Sequence, residues 1–312
     1  MKYTTLGSTG LKVSGLSFGA SSLGGVFREV NEADAIRAVH TALDLGINYF
    51  DVAPAYGATR SETVLGKALK GIPRERYILS TKVGKYTSAE AYGDDTFDYS
   101  EARIRASLEE SAARLGTDYF DIIHLHDLEY RDFQYTEWGL DEGLSTLHAL
   151  KTEGRIGAVS CGIYPMDLWH RIFRDYAIDA ALTHNHYCLN DVRLLELLPL
   201  AAEKGIGVIN ASPFGSGLLT DRGPADWHPA DAEQRAVFKQ AADFCRDQGF
   251  SISQVALQFS SRHPDIPTTM FSSASPDSVK RNVAWHESAL DPELVRQVQG
   301  ILAPVMNEQW CY

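Results

Sequence analysis

Four side chains that can take part in proton transfer follow three successive apolar runs of the sequence. Asp51 and Lys82 each stand at the end of a run, Tyr56 follows Asp51 closely, and His126 stands at the end of the third run. A tyrosine hydroxyl has a pKa near ~10 in water, and a neighbouring ammonium group lowers it by roughly 1–3 units. If Asp51 holds Lys82 charged beside Tyr56, the set can move a proton to or from a carbinol oxygen. The alternative is a structural ion pair between Asp51 and Lys82, with Tyr56 as a loop aromatic.

Short apolar runs alternate with longer amphipathic stretches along the whole chain. Continuous apolar runs flanked by glycine are typical of strands buried on both faces of a parallel sheet. The predicted strands are Leu16–Gly19, Asn48–Val52, Tyr77–Lys82, Phe120–Leu125, Ile156–Cys161, Ala180–Thr183, Gly207–Ala211 and Ile266–Phe271. The amphipathic stretches predict helices that start at Asn31 and stop at Gly46, start at Ser100 and stop before Gly116, and span Val192–Lys204.

This alternation predicts an α/β fold, namely a single (β/α)8 TIM barrel over residues 1–312. The segments Lys2–Leu6 and Leu11–Val13 predict a β-hairpin that closes the bottom of the barrel. The rival fold is a doubly wound sheet, which would need a GxGxxG turn after the first strand. The glycines of this region lack that spacing. Because catalytic residues of a barrel lie at the C-terminal ends of its strands, we expect the four side chains to meet at one mouth.

Composition and charge argue against several classes of function. The chain has 29 Lys and Arg against 41 Asp and Glu, and its net charge of −12 argues against a nucleic-acid or anionic-membrane partner. No stretch reads as a signal peptide or a membrane span. The four cysteines are far apart and form no CxxC pair, which predicts free thiols in a reducing, cytoplasmic compartment.

The histidines leave a second kind of enzyme open. His124 and His126 are two positions apart on one predicted strand, and His184 and His186 repeat the spacing. Side chains at this spacing share a strand face, and HxH is a spacing found in metal sites. A metal-dependent barrel hydrolase is therefore an alternative. Since a metal would leave Tyr56 and Lys82 without a role, we expect no metal.

Several longer motifs carry a family resemblance. They are Gly46-Ile-Asn-Tyr-Phe-Asp51 with Tyr56-Gly57, Ser61-Glu62 with Leu65-Gly66, Ser80-Thr81-Lys82, Asp118-Tyr-Phe-Asp121 with Leu125-His126, Gly207-Val-Ile with Ser212-Pro213 and Gly217-Leu-Leu, and Ser275-Pro276 with Asn282. With these motifs the sequence resembles the aldo-keto reductase superfamily from the hairpin to about Asn282. The resemblance implies a catalytic tetrad of Asp51, Tyr56, Lys82 and His126 and a nicotinamide cofactor.

Further stretches are similar to one branch of that superfamily, the plant-type L-galactose and bacterial aldose 1-dehydrogenases. They are Phe18-Gly-Ala-Ser-Ser-Leu-Gly24, His186-Tyr187 with Asn190-Asp191, Leu194-Leu-Glu-Leu-Leu-Pro199, Gly217-Leu-Leu-Thr220 and Trp227-His228-Pro229. The similarity implies oxidation of C1 of an aldose, L-galactose or a related sugar such as L-fucose, to the lactone with NAD⁺, and Tyr56 would be the general base. A general NADPH-dependent aldehyde or ketone reductase is the alternative, and a cofactor-sensing regulatory subunit is a non-enzyme alternative.

The resemblance also implies the residues that hold the cofactor. They are Ala20, Ser21, Asp51, Ser160, His184, Ser212, Pro213, Phe214, Gly215, Gly217, Ser272, Ser278, Arg281 and Asn282. Members that use NADP place Lys and Arg at the positions of Ser272 and Ser278, where they bind the 2′-phosphate. A phosphate normally attracts such cations, so their absence predicts NAD, with NADP as the alternative because Lys280 and Arg281 are close by.

The substrate contacts are predicted at the mouth and in the tail. We expect Tyr56, His126, Asp127 and Trp310 to contact a small-molecule sugar. In the family that the chain resembles, C-terminal loops line the substrate pocket, so residues 283–312 would form a helix and tail that reach the mouth. The alternative for Trp310 is packing on the outer surface of the barrel.

Overall fold

The computed structural model describes residues 1–25, 29–87 and 95–310. Eight strands form a closed barrel in which every neighbouring pair is parallel. Two antiparallel hairpins stand outside it. In chain order the strands are β1 (Tyr3–Thr5), β2 (Lys12–Ser14), β3 (Leu16–Gly19), β4 (Tyr49–Asp51), β5 (Ile78–Val83), β6 (Lys85–Thr87), β7 (Asp95–Phe97), β8 (Phe120–His126), β9 (Ile156–Ile163), β10 (Ala180–His184), β11 (Gly207–Ala211) and β12 (Thr268–Ser272). The barrel runs through β3, β4, β5, β8, β9, β10, β11 and β12 and confirms the predicted fold.

Helices connect the barrel strands. They are α1 (Glu32–Asp44), α2 (Arg60–Leu69), α3 (Glu101–Leu115), α4 (Thr136–Trp138), α5 (Leu144–Thr152), α6 (Met166–Asp175), α7 (Leu198–Lys204), α8 (Ala232–Asp247), α9 (Ile252–Ser260), α10 (Pro276–Glu287) and α11 (Pro292–Leu302). The predicted starts are the observed N-caps, because the side chains of Asn31 and Ser100 accept hydrogen bonds from the first-turn amides of α1 and α3.

One predicted helix is shorter than expected. The stretch Val192–Lys204 begins as a 3₁₀ turn over Arg193–Glu196, and α7 starts only at Leu198. Pro199 stands in the first turn of α7. Proline is tolerated there because those amides have no intrahelical acceptor, whereas further inside it would remove a backbone hydrogen bond. The proline therefore marks a helix start within the amphipathic stretch.

The N-terminal hairpin closes the bottom of the barrel, as predicted. Leu6 and Val13 are fully buried and join an apolar cluster with interior residues of the barrel strands. The amide of Ser8 donates a hydrogen bond of 2.8 Å to the carbonyl of Gly205, just before β11. We call this end the apolar floor, defined by Leu6, Val13, Ile78, Ile122, Ala158, Ala180 and Ile209.

The opposite end of the barrel interior is polar. Side chains alternate between the two faces of a strand, so β8 places Ile122, His124 and His126 in the interior at successive heights. Ile122 belongs to the apolar floor, and the other two are buried polar side chains. We call the upper level the polar mouth, defined by Asp51, Ser80, Lys82, His124 and His126.

Three cysteines are unpaired and buried, namely Cys161, Cys188 and Cys245. This agrees with the predicted free thiols, while Cys311 lies outside the described residues. Within the part of the chain that the structure describes, no helix is long and apolar enough to cross a membrane.

Candidate active site

Asp51 and Lys82 form a buried ion pair at the polar mouth. Asp51 ends β4, Lys82 lies in β5, and both side chains are almost fully buried. The ammonium group bonds the Asp51 Oδ2 and also donates to the carbonyl of Val52 at 2.9 Å, while Ser80 Oγ donates to Asp51 Oδ1 at 2.7 Å. Burial raises the pKa of the Asp51 carboxyl, and Lys82 and Ser80 oppose that rise. The carboxylate therefore holds the ammonium in one place.

Tyr56 lies directly over this pair, on the loop between β4 and α2. Its ring centroid is 4.8 Å from Lys82 Nζ and 5.7 Å from the ring of His126, which meets it edge-on. The next residue, Gly57, has φ +58°, and a Cβ there would lie 2.5 Å from the carbonyl oxygen of Gly24. Only glycine fits this close approach, which explains the Tyr56-Gly57 pair in the sequence.

Buried contacts fix the helix that follows Tyr56. Glu62 in α2 accepts a hydrogen bond of 2.7 Å from Thr81 in β5 and one of 2.6 Å from Arg114 in α3. The side chain of Ser61 donates to the carbonyl of Ser21 at 3.2 Å. The Ser61-Glu62 motif therefore anchors α2 to the barrel wall, so that the Tyr56 loop is held from both sides.

His126 completes the group from the end of β8. Burial lowers the pKa of its imidazole to about 3, with Asp127 opposing and Lys82 and Lys85 reinforcing that shift, so the ring is neutral near pH 7. Its Nε2 lies 3.6 Å from Asp127 Oδ1. Its Nδ1 is buried and has no hydrogen-bond partner among the described residues. The structure thus brings the four predicted side chains to one mouth.

Asp127 belongs to a charged group that the sequence reasoning did not find. Its Oδ2 accepts from Lys85 Nζ at 2.7 Å, and Lys85 also lies 3.0 Å from Asp95. Lys85 and Asp95 come from the hairpin β6–β7, which rises from the end of β5. Burial raises the pKa of the Asp127 carboxyl, but the Lys85 ammonium, which also donates a hydrogen bond to it, outweighs burial and holds the pKa below its ordinary range. Asp127 is therefore an anion beside His126.

A buried polar layer below the tetrad was also missed. Tyr49, Ser80, His124 and Ser160 are all fully buried inside the barrel. His124 Nδ1 and Ser160 Oγ are 2.8 Å apart. Ser160 therefore lies deeper than the other predicted cofactor contacts, and its assignment to the cofactor stays a prediction.

The other predicted cofactor residues lie at the C-terminal ends of the strands. Ala20 and Ser21 follow β3, His184 ends β10, the segment 212–217 follows β11, and Ser272 ends β12. The Ser272 hydroxyl bonds the Ser21 hydroxyl at 3.0 Å and the Ser22 amide at 3.0 Å. Ser278, Arg281 and Asn282 lie in α10, where Arg281 donates to the Ser278 hydroxyl at 3.1 Å.

Residues of the C-terminal tail lie on the loops that follow the barrel strands. Asn307 bonds Asn190 and Val192, both beyond β10. Trp310 is nearly buried, its amide donates to Tyr164 Oη at 2.7 Å, and its ring meets the ring of His228 at 5.2 Å. These contacts place the tail at the C-terminal side of the barrel.

The two His-x-His pairs do not gather further metal ligands. His184 stacks on Tyr164, and His186 bonds the Tyr164 carbonyl and lies 3.3 Å from Asp191. Across residues 1–25, 29–87 and 95–310, no group of three or more His, Cys, Asp or Glu side chains could hold a metal ion.

Known proteins are similar to this chain in both sequence and fold. The sequence profile of the aldo/keto reductase family matches residues 15–303. L-galactose dehydrogenase of Arabidopsis thaliana is 40% identical over 314 residues, covering 98% of this chain and 95% of the plant protein. D-threo-aldose 1-dehydrogenase of a Pseudomonas species is 29% identical, covering 89% of this chain and 91% of that protein.

Among solved structures, the holo form of an aldo-keto reductase from Bacillus halodurans matches with a TM-score of 0.80 at 28% sequence identity. The match covers 99% of this chain and 98% of that one. This structural match agrees with the family profile and with the similarity to the plant protein. The chain belongs to the aldo/keto reductase family, a family of oxidoreductases that use nicotinamide cofactors.

Proposed function

We propose that the protein is an NAD-dependent sugar 1-dehydrogenase that oxidises C1 of an aldose, L-galactose or a related sugar such as L-fucose, to the lactone. The observation that carries the proposal is the meeting of Tyr56, Lys82 and His126 at one mouth beside the anionic Asp127. An aldose presents one hydroxyl to be oxidised and several more to be bound. A carboxylate beside the tetrad suits the second task, since charged acceptors make the stronger hydrogen bonds.

The donor set at the mouth fits a nicotinamide dinucleotide. Ser21, Ser22 and Ser272 form a hydroxyl cluster between the ends of β3 and β12. The N-terminus of α10, capped by Ser275, lies shortly after Ser272. Neutral hydroxyls suit ribose, and a helix N-terminus suits an anionic phosphate. Ala20, Ser21, His184, the segment 212–217 and Ser272 would hold the cofactor, with Asp51 beneath it.

A bound nicotinamide would supply the acceptor for the hydride of sugar C1. Tyr56 takes the proton of the C1 hydroxyl as the C1–H bond breaks and the carbonyl of the lactone forms. The Lys82 ammonium, held by Asp51, stabilises the phenolate of Tyr56. Neutral His126, whose ring meets that of Tyr56, orients the C1 hydroxyl.

The preference for NAD is part of the proposal. The 2′-phosphate of NADP would carry a charge of about −1.5 to −2, while Ser272 and Ser278 offer neutral hydroxyls. We expect kcat/KM to favour NAD⁺, and the double substitution Ser272→Lys with Ser278→Arg to move it toward NADP⁺ by about 1.5–3 kcal/mol per new charged contact. A wild type that favours NADP⁺ would contradict this and would point to Lys280 or Arg281.

The proposed activity is tested with a panel of sugars. L-galactose, L-fucose, D-arabinose, L-glucose and D-glucose are offered with NAD⁺ and with NADP⁺, and lactone formation is followed together with reduced cofactor. We expect turnover of L-galactose or L-fucose with NAD⁺, and none in Tyr56→Phe. An enzyme that reduces aldehydes with NADPH and oxidises no sugar would be the general reductase instead.

A cytoplasmic location belongs to the same proposal. It is supported by the three unpaired cysteines, which suit a reducing compartment. Fractionation of the source cells with a marker for each compartment tests it, and recovery with an exported marker would contradict it.

A further inference from the structure

The proposed reaction assigns no role to the buried polar layer beneath the tetrad. Tyr49 lies in β4 below Asp51, Ser80 lies in β5 below Lys82, and His124 lies in β8 below His126, each two residues before the tetrad residue of its strand. All three side chains are fully buried. Buried polar groups cost free energy unless they are hydrogen-bonded. Each side chain of this layer is therefore expected to have hydrogen-bond partners inside the barrel.

The distances form a connected chain that ends on Asp51. Ser160 Oγ is 2.8 Å from His124 Nδ1, and His124 Nε2 is 3.5 Å from both Tyr49 Oη and Asp51 Oδ1. Tyr49 Oη is 3.0 Å from Ser80 Oγ, and Ser80 Oγ is 2.7 Å from Asp51 Oδ1.

Counting protons fixes the direction of these bonds. Asp51 as a carboxylate only accepts, so Ser80 must donate its single hydrogen to it. Tyr49 must then donate its own hydrogen to the Ser80 oxygen. His124 Nε2 faces the Tyr49 oxygen and the carboxylate, both acceptors, so the favoured tautomer carries its proton on Nε2. Nδ1 is then the acceptor, and Ser160 donates to it at 2.8 Å rather than to the more distant Cys161 carbonyl, which is 3.3 Å from the same hydroxyl.

We propose that His124 is a positioning residue for the catalytic pair, a neutral Nε2–H imidazole through which a chain of donors from Ser160 converges on Asp51. The proposal rests on the proposed role of Tyr56 as the base. Donors directed at a carboxylate favour its ionised form. Asp51 then remains an anion and leaves the proton on Lys82, whose positive charge faces Tyr56.

The groups that surround the layer are consistent with a neutral imidazole ring at His124. Lys82 faces it from β5, His126 from β8, and Asp51 and Tyr49 from β4, with Tyr56 above on its loop. Burial lowers the pKa of His124 well below its ordinary value and Lys82 lowers it further, while a backbone hydrogen bond with Cys161 opposes the shift. Burial raises the pKa of Tyr49, and Asp51 and Asp121 add to that rise, so the phenol keeps its hydrogen.

Removing the donor should change the pH dependence of catalysis. Without the chain, Asp51 becomes more basic and competes with Lys82 for the proton. Less positive charge then faces Tyr56, so the phenolate forms only at higher pH. We expect His124→Leu to move the midpoint of the kcat–pH profile upward by about 0.5–1 unit, a fraction of the roughly 1–3 units that a nearby opposite charge supplies.

Two matched variants separate this effect from packing. His124→Gln retains an N–H donor and an acceptor, in its amide group and carbonyl, so its midpoint should stay close to that of the wild type. Ile122→Val changes packing on the same face of β8 without touching a polar group, and its profile should be unchanged. Should His124→Leu fail to fold, Ser160→Ala shortens the chain at its far end and should move the midpoint the same way by less. An unchanged midpoint in the variants that fold, or equal shifts in His124→Gln and His124→Leu, would overturn the proposal.

A second measurement needs no turnover. ¹⁵N NMR of the histidine-labelled protein without cofactor, with His124 assigned by its loss in His124→Gln, reports which ring nitrogen carries the proton. We expect the Nε2–H tautomer from pH 6 to pH 8, and a proton on Nδ1 would overturn the inference. If the wild type oxidises no sugar, the proposed function fails, while the tautomer still decides the inference.

Discussion

The apolar floor and the polar mouth are built on the same strands, yet they answer different demands. On β8, Ile122 belongs to the floor, whereas His124 and His126 are two and four residues further on the same face. A floor side chain has to fill space, and a similar volume serves as well. A mouth side chain has to place a charge or a proton within hydrogen-bond reach, and it carries a desolvation cost for doing so. Changes at the floor should therefore lower stability alone, whereas changes at the mouth should alter catalysis and, where they leave a buried charge unpaired, stability as well.

The largest effect is expected from the mouth. Tyr56→Phe removes the proposed base and should lower kcat by ~10²–10⁴, the range for one acid–base group, with little change in the free energy of unfolding. Steady-state kinetics and urea titration measure the two quantities. Tyr3→Phe is the control at the floor end, where the phenol bonds only the carbonyl of Gly46 among the described contacts. Turnover close to wild type in Tyr56→Phe would contradict the assignment.

Substitutions in the buried ion pair should show how much the desolvated charges of the mouth reduce the free energy of unfolding. Lys82→Met alone leaves Asp51 buried without its cation and should lower the free energy of unfolding by about 3–5 kcal/mol. The double variant Asp51→Val with Lys82→Met removes both charges and should recover most of that loss, while activity stays absent. A double variant as unstable as the single one would mean that the pair itself stabilises the fold.

At the floor the expectation is reversed. Ile122→Ala removes a fully buried side chain and should lower the free energy of unfolding by about 2–5 kcal/mol through lost burial and the cavity left behind. For the folded fraction, kcat and KM should equal those of the wild type. A large change in kcat at a temperature where the variant is folded would show that the two ends are coupled.

Acid should act on the mouth through His126, and this contribution is the smallest effect of the series. Burial holds the pKa of His126 at about 3, whereas an unfolded histidine has a pKa near ~6.5. Between these values the unfolded chain binds the proton and the folded chain does not, so the free energy of unfolding falls as pH drops below about 6.5. The contribution of His126 to the slope of unfolding free energy against pH should approach about 1.4 kcal/mol per pH unit.

Urea titrations between pH 7 and pH 5 measure this slope. His126→Gln should reduce it, and Ile122→Ala should lower stability equally at each pH without changing the slope. Stability that is flat from pH 7 to pH 5 in the wild type would contradict the depressed pKa.

Sequence reasoning predicted the strands, the closing hairpin and the meeting of the four tetrad side chains for clear physical reasons. Strands buried on both faces give continuous apolar runs, so Leu16–Gly19 and Gly207–Ala211 were predicted with their observed bounds. Strand ends meet at one side of a barrel, so the tetrad could be assembled without coordinates.

The charged group around Asp127 and the buried polar layer were not predicted, because they depend on contacts between residues far apart in the sequence. The hairpin β6–β7 is short and polar, and Lys85 in it finds its partner Asp127 only after a further 42 positions. The HxH spacing of His124 and His126 fits a metal site as well as it fits a hydrogen-bond layer. The bond between His124 and Ser160, from a neighbouring strand, favours the hydrogen-bond layer.

The three buried cysteines can report local opening of the native protein. Burial raises the pKa of each thiol, to about 12 for Cys188 and about 11 for Cys245, and it raises that of Cys161 as well. Alkylating reagents attack the thiolate and need access to it, so each sulfur can be labelled only when its surroundings open. Cys161 lies in the barrel wall on β9 and Cys245 on the outer helix α8. Labelling rates at these two positions, read by mass spectrometry, would measure separately how often the wall and the outer layer open in the native protein.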